Sequence, residues 1–288
     1  FVPCQSAEKP RKAQAVYTFS SLIGRSEEFT EAIENAKRAA KGLGNVLILG
    51  ESGTGKELVA QAIHEASPRN TGPFIPLNCA AIPKELISSE LMGYEDGAFT
   101  GAKRGGQAGK FELANGGTIF LDEIAEMPMD MQCSLLRILE DRVVCRIGGS
   151  KYHPVNVRIV AATNRDLWKC VQRGTFRLDL YFRLNVIRIE LPPLRDRTGD
   201  IDILVPYLLE SAARKNRVPM VAISGEVMEL FRRYYWPGNV RELKNVVEKC
   251  AVMTTSDTVT LENLPKDVLR QLSSSGPGAG YDPAAFTG

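Results

Sequence analysis

Gly50-Glu51-Ser52-Gly53-Thr54-Gly55-Lys56 is the stretch whose reading decides the fold. It follows an apolar run, residues 45 to 49, and precedes a segment in which Leu58, Val59, Ala62, Ile63 and Ala66 recur at helical spacing. A glycine-rich turn between a strand and a helix is what a phosphate-binding loop requires. Backbone N–H groups and the helix N-terminus wrap the anion, and Lys56 adds charge at the β and γ phosphates of a nucleotide. The general pattern places Ser or Thr after the lysine to contact magnesium, whereas Glu57 stands there in this chain. A magnesium ion must then rely on phosphates, water and a side chain from elsewhere.

That side chain has a candidate downstream. Thr118-Ile119-Phe120-Leu121-Asp122-Glu123 follows Gly116-Gly117 and ends an apolar strand in two carboxylates. A hard cation takes oxygen ligands, so Asp122 suits magnesium, directly or through water, and Glu123 suits a base that polarises the attacking water. Alone, an Asp-Glu pair at a strand end is an ordinary solvated turn. Behind a phosphate loop in an alternating chain, it reads as the second half of a nucleotide site.

The alternation itself is regular. Strand-like apolar runs at 45–49, 74–77, 118–121, 157–162 and 186–191 alternate with helix-period segments, which predicts a parallel sheet flanked by helices. A first helix is expected after Ser26, with Phe29, Ile33, Ala36 and Ala40 on one face and Gly42 past its end. At Leu191-Pro192-Pro193-Leu194 the pattern changes, and from Asp200 to about Leu272 helical periodicity alone remains. We therefore expect a linker over 1–16, an α/β nucleotide-binding domain over 17–192 and a small all-helical domain over 193–272. A flexible tail rich in Ser, Gly and Pro is expected over 273–288.

Composition excludes other classes. Lys plus Arg total 36 against 34 Asp plus Glu, a net charge of +2 that offers no field for nucleic acid by itself. No recognition helix fits after Leu272, so DNA is expected only through a domain absent from this chain. The apolar runs fall far short of the roughly 20 residues that cross a bilayer, and no signal peptide is visible. Cys4, Cys79, Cys133, Cys145, Cys170 and Cys250 form no C-x-x-C pair, and His64 and His153 are the histidines available to join them. This favours reduced, cytoplasmic thiols over a disulfide frame or zinc site. Phe1 in place of Met suggests a segment of something longer.

Three further stretches carry chemistry. Gly97-Ala98-Phe99-Thr100-Gly101-Ala102 sets one aromatic and one hydroxyl among small residues, and the flanking glycines reach turn conformations closed to other residues. Such a loop either offers its tip to a partner or folds Phe99 back into the core. Between Gly174 and Leu184 lie Arg177 and Arg183, whose planar guanidinium groups suit the charge on a transferring phosphoryl group. From the residues alone, a surface helix with solvated arginines stands ahead. In Trp236-Pro237-Gly238-Asn239-Val240-Arg241-Glu242-Leu243, Asn239 is expected to cap a helix, with Glu242 completing a capping box. Arg241 then sits in the first turn, where the helix dipole disfavours a cation unless an anion such as a phosphate is near.

Together and in this order, these motifs resemble the central AAA+ ATPase domain of the bacterial sigma-54-dependent transcription activators, or enhancer-binding proteins. The resemblance extends over about Tyr17 to Leu272. It implies a P-loop ATPase using ATP and Mg²⁺, with Gly50 to Glu57, Asp122 and Glu123 at the nucleotide, and an adenine pocket that includes Ile23 and Gly24. It implies that Asn78, in Leu77-Asn78-Cys79, holds the catalytic glutamate inactive until a partner engages, although an Asn capping a strand end remains the other reading. Asn164 would be sensor I and Arg241 sensor II, while Arg177 and Arg183 would reach a neighbour's site as arginine fingers. Leu178 departs from the family's usual glutamate; Glu57 does not depart, since the family commonly has glutamate there. The signature loop Gly97 to Ala102 would touch sigma-54. The implied function is a hexameric ring motor that remodels the closed promoter complex of sigma-54 RNA polymerase. The alternatives are a nucleotide-gated repressor or scaffold of the same fold, or a protein-unfolding AAA+ enzyme, whose pore-loop aromatic has a different loop context.

Overall fold

The computed structural model describes residues 15 to 273. Most of the expected linker and the expected tail beyond Ser273 lie outside the described residues. Helix α1 (Glu27–Ala40) buries Phe29, Ile33, Ala36 and Ala40 on one face, as their spacing predicts. Glu27 and Glu28 in its first turn and Lys37 and Arg38 in its last complement the helix dipole.

There follow β1 (Val46–Leu49), α2 (Lys56–Glu65), β2 (Phe74–Asn78), α3 (Lys84–Met92), β3 (Gly93–Tyr94), β4 (Gln107–Ala108), α4 (Lys110–Leu113) and β5 (Thr118–Asp122). Next come α5 (Met129–Asp141), β6 (Val143–Cys145), β7 (Tyr152–Pro154), β8 (Arg158–Thr163), α6 (Leu167–Gln172), α7 (Leu178–Leu184) and β9 (Ile187–Glu190). The five long strands form one sheet in the order β2-β5-β8-β1-β9. The pairs β2–β5 and β5–β8 are parallel, with Asn78 opposite Asp122 in register. Every residue of β8 is buried, as expected of a parallel strand covered on both faces. Ala66, expected on the inner face of α2, falls just beyond the helix and is exposed.

Arg158 opens β8 with its side chain almost wholly buried. It donates to the carbonyls of Ala39 (2.7 Å) and Gly44 (3.3 Å) around the end of α1, and burial pushes its pKa down to about 10. His64 is likewise structural: it sits buried 2.9 Å from Thr118 Oγ1, and desolvation lowers its pKa.

The remainder of the chain is α8 (Ile201–Asn216), β10 (Ala222–Ile223), α9 (Gly225–Arg233), α10 (Asn239–Met253), β11 (Thr258–Val259) and α11 (Lys266–Ser273). Its core gathers Leu204, Leu208, Phe231, Trp236, Leu243 and Val247. Trp236 is fully buried, stands edge-on to Phe231 and Tyr234, and donates its indole N–H to the Phe231 carbonyl at 2.8 Å. The parallel pair β10–β11 interrupts what the sequence predicted to be purely helical. Two residues per strand are too few to show a period of two.

The chain divides into two compact units, neither continuous in sequence. One comprises residues up to Phe19 with Ala36–Ile48 and Glu57–Arg188; the other comprises Ser20–Asn35, Leu49–Lys56 and the residues from Ile189 onward. No described helix is long and apolar enough to cross a membrane.

Candidate functional site

The phosphate loop belongs to the second unit. Lys56 is buried and donates from Nζ to the carbonyls of Gly50 (2.9 Å) and Glu51 (3.3 Å), curling the loop about its ammonium. Thr54 Oγ1 donates to Glu51 O at 2.9 Å and tightens the same turn. Gly53 and Gly55 take φ of +82° and +99°, a region in which a side chain is strained. At Gly53 a Cβ would also clash with the carbonyl oxygen of Gly238.

The helical residues of that unit reach the loop at several points. Arg241 Nη1 donates to Ser52 Oγ at 3.0 Å. Arg195 grips the Glu51 carboxylate with both terminal nitrogens, at 2.6 and 2.8 Å, and holds that carboxyl below the usual carboxylate range. Asn239 does not cap α10 as expected. Gly238 occupies the cap position, and its N–H donates to Glu242 Oε2 at 2.7 Å, so the glutamate reaches back as predicted but to a different residue. Asn239, buried with φ of +53°, donates instead to Glu51 Oε2 (3.0 Å) and to Ser52 O (3.1 Å). Ile23 and Gly24 are held near α1: Arg197 donates to Ile23 O at 2.6 Å, pairs with buried Asp200 at 2.8 Å and lies over the Phe29 ring. A Cβ on Gly24 would clash with that ring.

The carboxylates belong to the first unit, at the ends of β2, β5 and β8. Asn78 Nδ2 lies 3.5 Å from Asp122 Oδ2, and Asn78 Oδ1 accepts from the N–H groups of Ala80 (2.9 Å) and Ala81 (3.2 Å). The strand-end capping role is therefore present, and the amide nitrogen faces Asp122, whereas the resemblance implied a hold on Glu123. Glu123 adopts φ 49°, ψ 49°, a strained conformation for a non-glycine residue of the kind that clusters at active sites. Its N–H donates to Asp122 Oδ1 at 3.0 Å, and its Oε2 accepts the backbone N–H of exposed Asn164 at 3.3 Å. Among the described residues no group of three or more His, Cys, Asp or Glu side chains could hold a metal ion. A magnesium ion at Asp122 would take most of its oxygens from phosphate and water, which is the habit of that ion. Glu57 is exposed and accepts from Gln61 Nε2 at 3.2 Å.

Gly97 and Gly101 both lie at positive φ with open space around them, so they are required for backbone conformation and not for room. Thr100 is exposed and Phe99 is 42% exposed. Phe99 is part-way between the two readings of the loop: its ring is exposed and stands edge-on to Tyr94 at 5.0 Å.

Arg177 precedes α7, where Asp179 binds its Nε and Nη2 at 3.0 and 2.6 Å and Cys133 Sγ lies 3.1 Å from Nη1. Arg183 Nη2 donates to Leu139 O at 3.4 Å. Sequence reasoning missed Arg195, Asp179 and the side-chain role of Glu51, because their pairings join residues that no local spacing relates.

Known proteins resemble this chain. The model for the sigma-54 interaction domain matches residues 22–190, and that for the AAA+ ATPase lid domain matches 195–279. The signal-transduction and transcriptional-control protein of Clostridium beijerinckii is 53% identical over 256 residues, covering 88% of this chain and 40% of that protein. The Nif-specific regulatory protein of Herbaspirillum seropedicae is 50% identical over 250 residues, 87% of this chain and 46% of that protein. The crystal structure of NtrX from Brucella abortus in complex with ATP aligns with TM-score 0.80 at 35% identity, over 90% of this chain and 57% of that one. The chain thus spans about half the length of the curated relatives it matches. It belongs to the sigma-54 interaction domain family, as an AAA+ P-loop ATPase module with its lid, within the sigma-54-dependent transcriptional activators.

Proposed function

We propose that this module binds ATP with magnesium and couples its hydrolysis to remodelling of the sigma-54 RNA polymerase closed promoter complex. Lys56 and the loop N–H groups hold the phosphates, Asp122 holds magnesium, Glu123 polarises water, and Asn164 and Arg241 sense the γ-phosphate. Arg177 and Arg183 serve a neighbouring protomer in a hexameric ring, and Asn78 holds Glu123 inactive until a partner engages. Phosphoryl transfer to water needs chiefly positioning and charge stabilisation, which these groups supply. We place the nucleotide-binding domain at 17–192 and the lid at 193–272, a division supported by the gap between the ranges of the two family models.

The observation that carries the remodelling role is the loop at Gly97 to Ala102. It presents Phe99 and Thr100 to solvent on two left-handed glycines, and neither side chain offers charge for phosphate chemistry. The test supplies sigma-54 holoenzyme, promoter DNA and this protein at high concentration. ATP is expected to yield heparin-resistant open complex, and a non-hydrolysable analogue is expected not to. Hydrolysis without open complex would move the reading to the scaffold alternative.

A further inference from the structure

Glu51 is an acid within a loop that receives a polyphosphate, where an unmatched carboxylate would repel the ligand. Its charge is matched by the two-pronged bond from Arg195, whose guanidinium also lies 4.5 Å over the Tyr235 ring. Asn239 adds a third donor to the carboxylate and joins it to two backbone groups, donating to Ser52 O and accepting the Leu194 N–H at 2.8 Å. Two residues further along the first turn of α10, Arg241 meets Ser52 Oγ. Gly53, which has no side chain to intervene, packs its backbone against the Gly238 carbonyl. The loop and the start of α10 are therefore joined at Glu51, Ser52 and Gly53 in succession. Glu51 supplies the charged joint, while Thr54 and Lys56 hold the turn of the loop through the Glu51 and Gly50 carbonyls and not through the Glu51 carboxylate.

We propose that Glu51 is a positioning residue, whose carboxylate, clamped by Arg195 and Asn239, fixes the offset of Arg241 from the phosphate loop. The inference rests on the reading above, in which the loop binds ATP and Arg241 meets its phosphate. Removing the Glu51 charge leaves the N–H cradle and Lys56 in place and frees a cation nearby, so nucleotide affinity is kept or tightened. Arg241 loses its fixed offset, so the loss falls on turnover. A plain packing defect would instead weaken both.

The test is a cycle of Glu51→Gln, Arg241→Ala and the double variant, with kcat from steady-state ATPase assays and affinity from a fluorescent ATP analogue. Glu51→Gln is expected to lower kcat about tenfold at unchanged or tighter affinity, and to lower it no further in the Arg241→Ala background, because residues acting as a unit are non-additive. Arg195→Lys, which keeps the charge but not the fork, is expected to move kcat the same way and replaces Glu51→Gln should that variant not fold. Multiplying effects in the double variant, or wild-type kcat in both Glu51→Gln and Arg195→Lys, would overturn the proposal. A wild-type rate for Arg241→Ala, with Lys56→Ala still losing ATP, would remove the sensor reading and the brace with it. Undiminished ATP binding by Lys56→Ala would instead remove the nucleotide site itself.

Discussion

Asn78 and Asp122 are register partners at the ends of neighbouring parallel strands, with the Asn78 amide nitrogen 3.5 Å from the Asp122 carboxylate. The same amide oxygen ties down the N–H groups of Ala80 and Ala81, so one side chain links the turn after β2 to the acidic end of β5.

The roles along this edge separate by what each loss affects. Glu123→Gln is expected to keep ATP affinity and lose turnover by about 100-fold or more, since the role proposed for Glu123 is to activate water. Lys56→Ala is expected to lose binding. Asn78→Ala is expected to change kcat several-fold with little change in KM, because its amide faces Asp122 at the end of β5. Calorimetric ATP titrations beside steady-state assays separate the three, and equal loss of binding in all would contradict the assignments.

Much of this was legible in the sequence because the signals are local. Gly50 to Lys56, the apolar run into Asp122 and Glu123, and the periodicity of Phe29, Ile33, Ala36 and Ala40 each lie within one strand, turn or helix. What stayed hidden depends on tertiary pairing. Glu51 and Arg195 are 144 residues apart, and Asn239 reads as a cap until its left-handed backbone is seen, with Gly238 taking the cap position. The strands β10 and β11 are defined by pairing with each other and not by a pattern of their own.

Arg177 poses a question of reach. Asp179 and Cys133 hold its guanidinium within its own chain, so service to a neighbour requires release from that clasp. ATPase activity per protomer is expected to rise with protein concentration, and mixing Arg177→Ala with Lys56→Ala chains is expected to restore part of the turnover. Asp179→Asn, which weakens the clasp, is expected to lower the concentration needed for half-maximal activity. Flat specific activity and no restoration on mixing would remove the finger assignment for Arg177.

In the helical core, Trp236 is fully buried at φ 52° and bonded through its indole nitrogen to Phe231 O. Trp236→Ala is expected to destabilise by about 3 to 5 kcal/mol, and Trp236→Phe by less, since the ring is partly replaced. Urea unfolding followed by circular dichroism measures both. A loss below about 1 kcal/mol for the alanine variant would mean that the surrounding residues collapse into the space.

The described cysteines are free, and their environments differ. Cys250 is fully buried, and desolvation pushes its thiol up to about 12, so at pH 8 it is protonated and out of reach. Cys133 and Cys145 are part-exposed. Iodoacetamide at pH 8 is expected to modify these two well before Cys250, as read by peptide mass spectrometry. Early modification of Cys250 in folded protein would show that the helical core opens on the labelling timescale.

The last prediction concerns Phe99 and Thr100. The loop glycines hold positive φ in open space, so their replacement strains the backbone without any clash, and neither Phe99 nor Thr100 carries a charge for phosphate chemistry. Phe99 also stands edge-on against Tyr94 at 5.0 Å. Thr100→Ala and Phe99→Ala are therefore expected to keep most ATPase activity. Both are expected to lose capture of sigma-54 in the presence of ADP with aluminium fluoride, and to lose open-complex formation with it. Tyr94→Ala, which removes that neighbouring ring but not the tip, is expected to weaken capture less than either. The assay is native-gel capture with purified sigma-54 alongside phosphate release. A Thr100→Ala protein that captures sigma-54 and opens promoters normally would detach this loop from the partner and leave the module an ATPase whose output lies elsewhere on its surface.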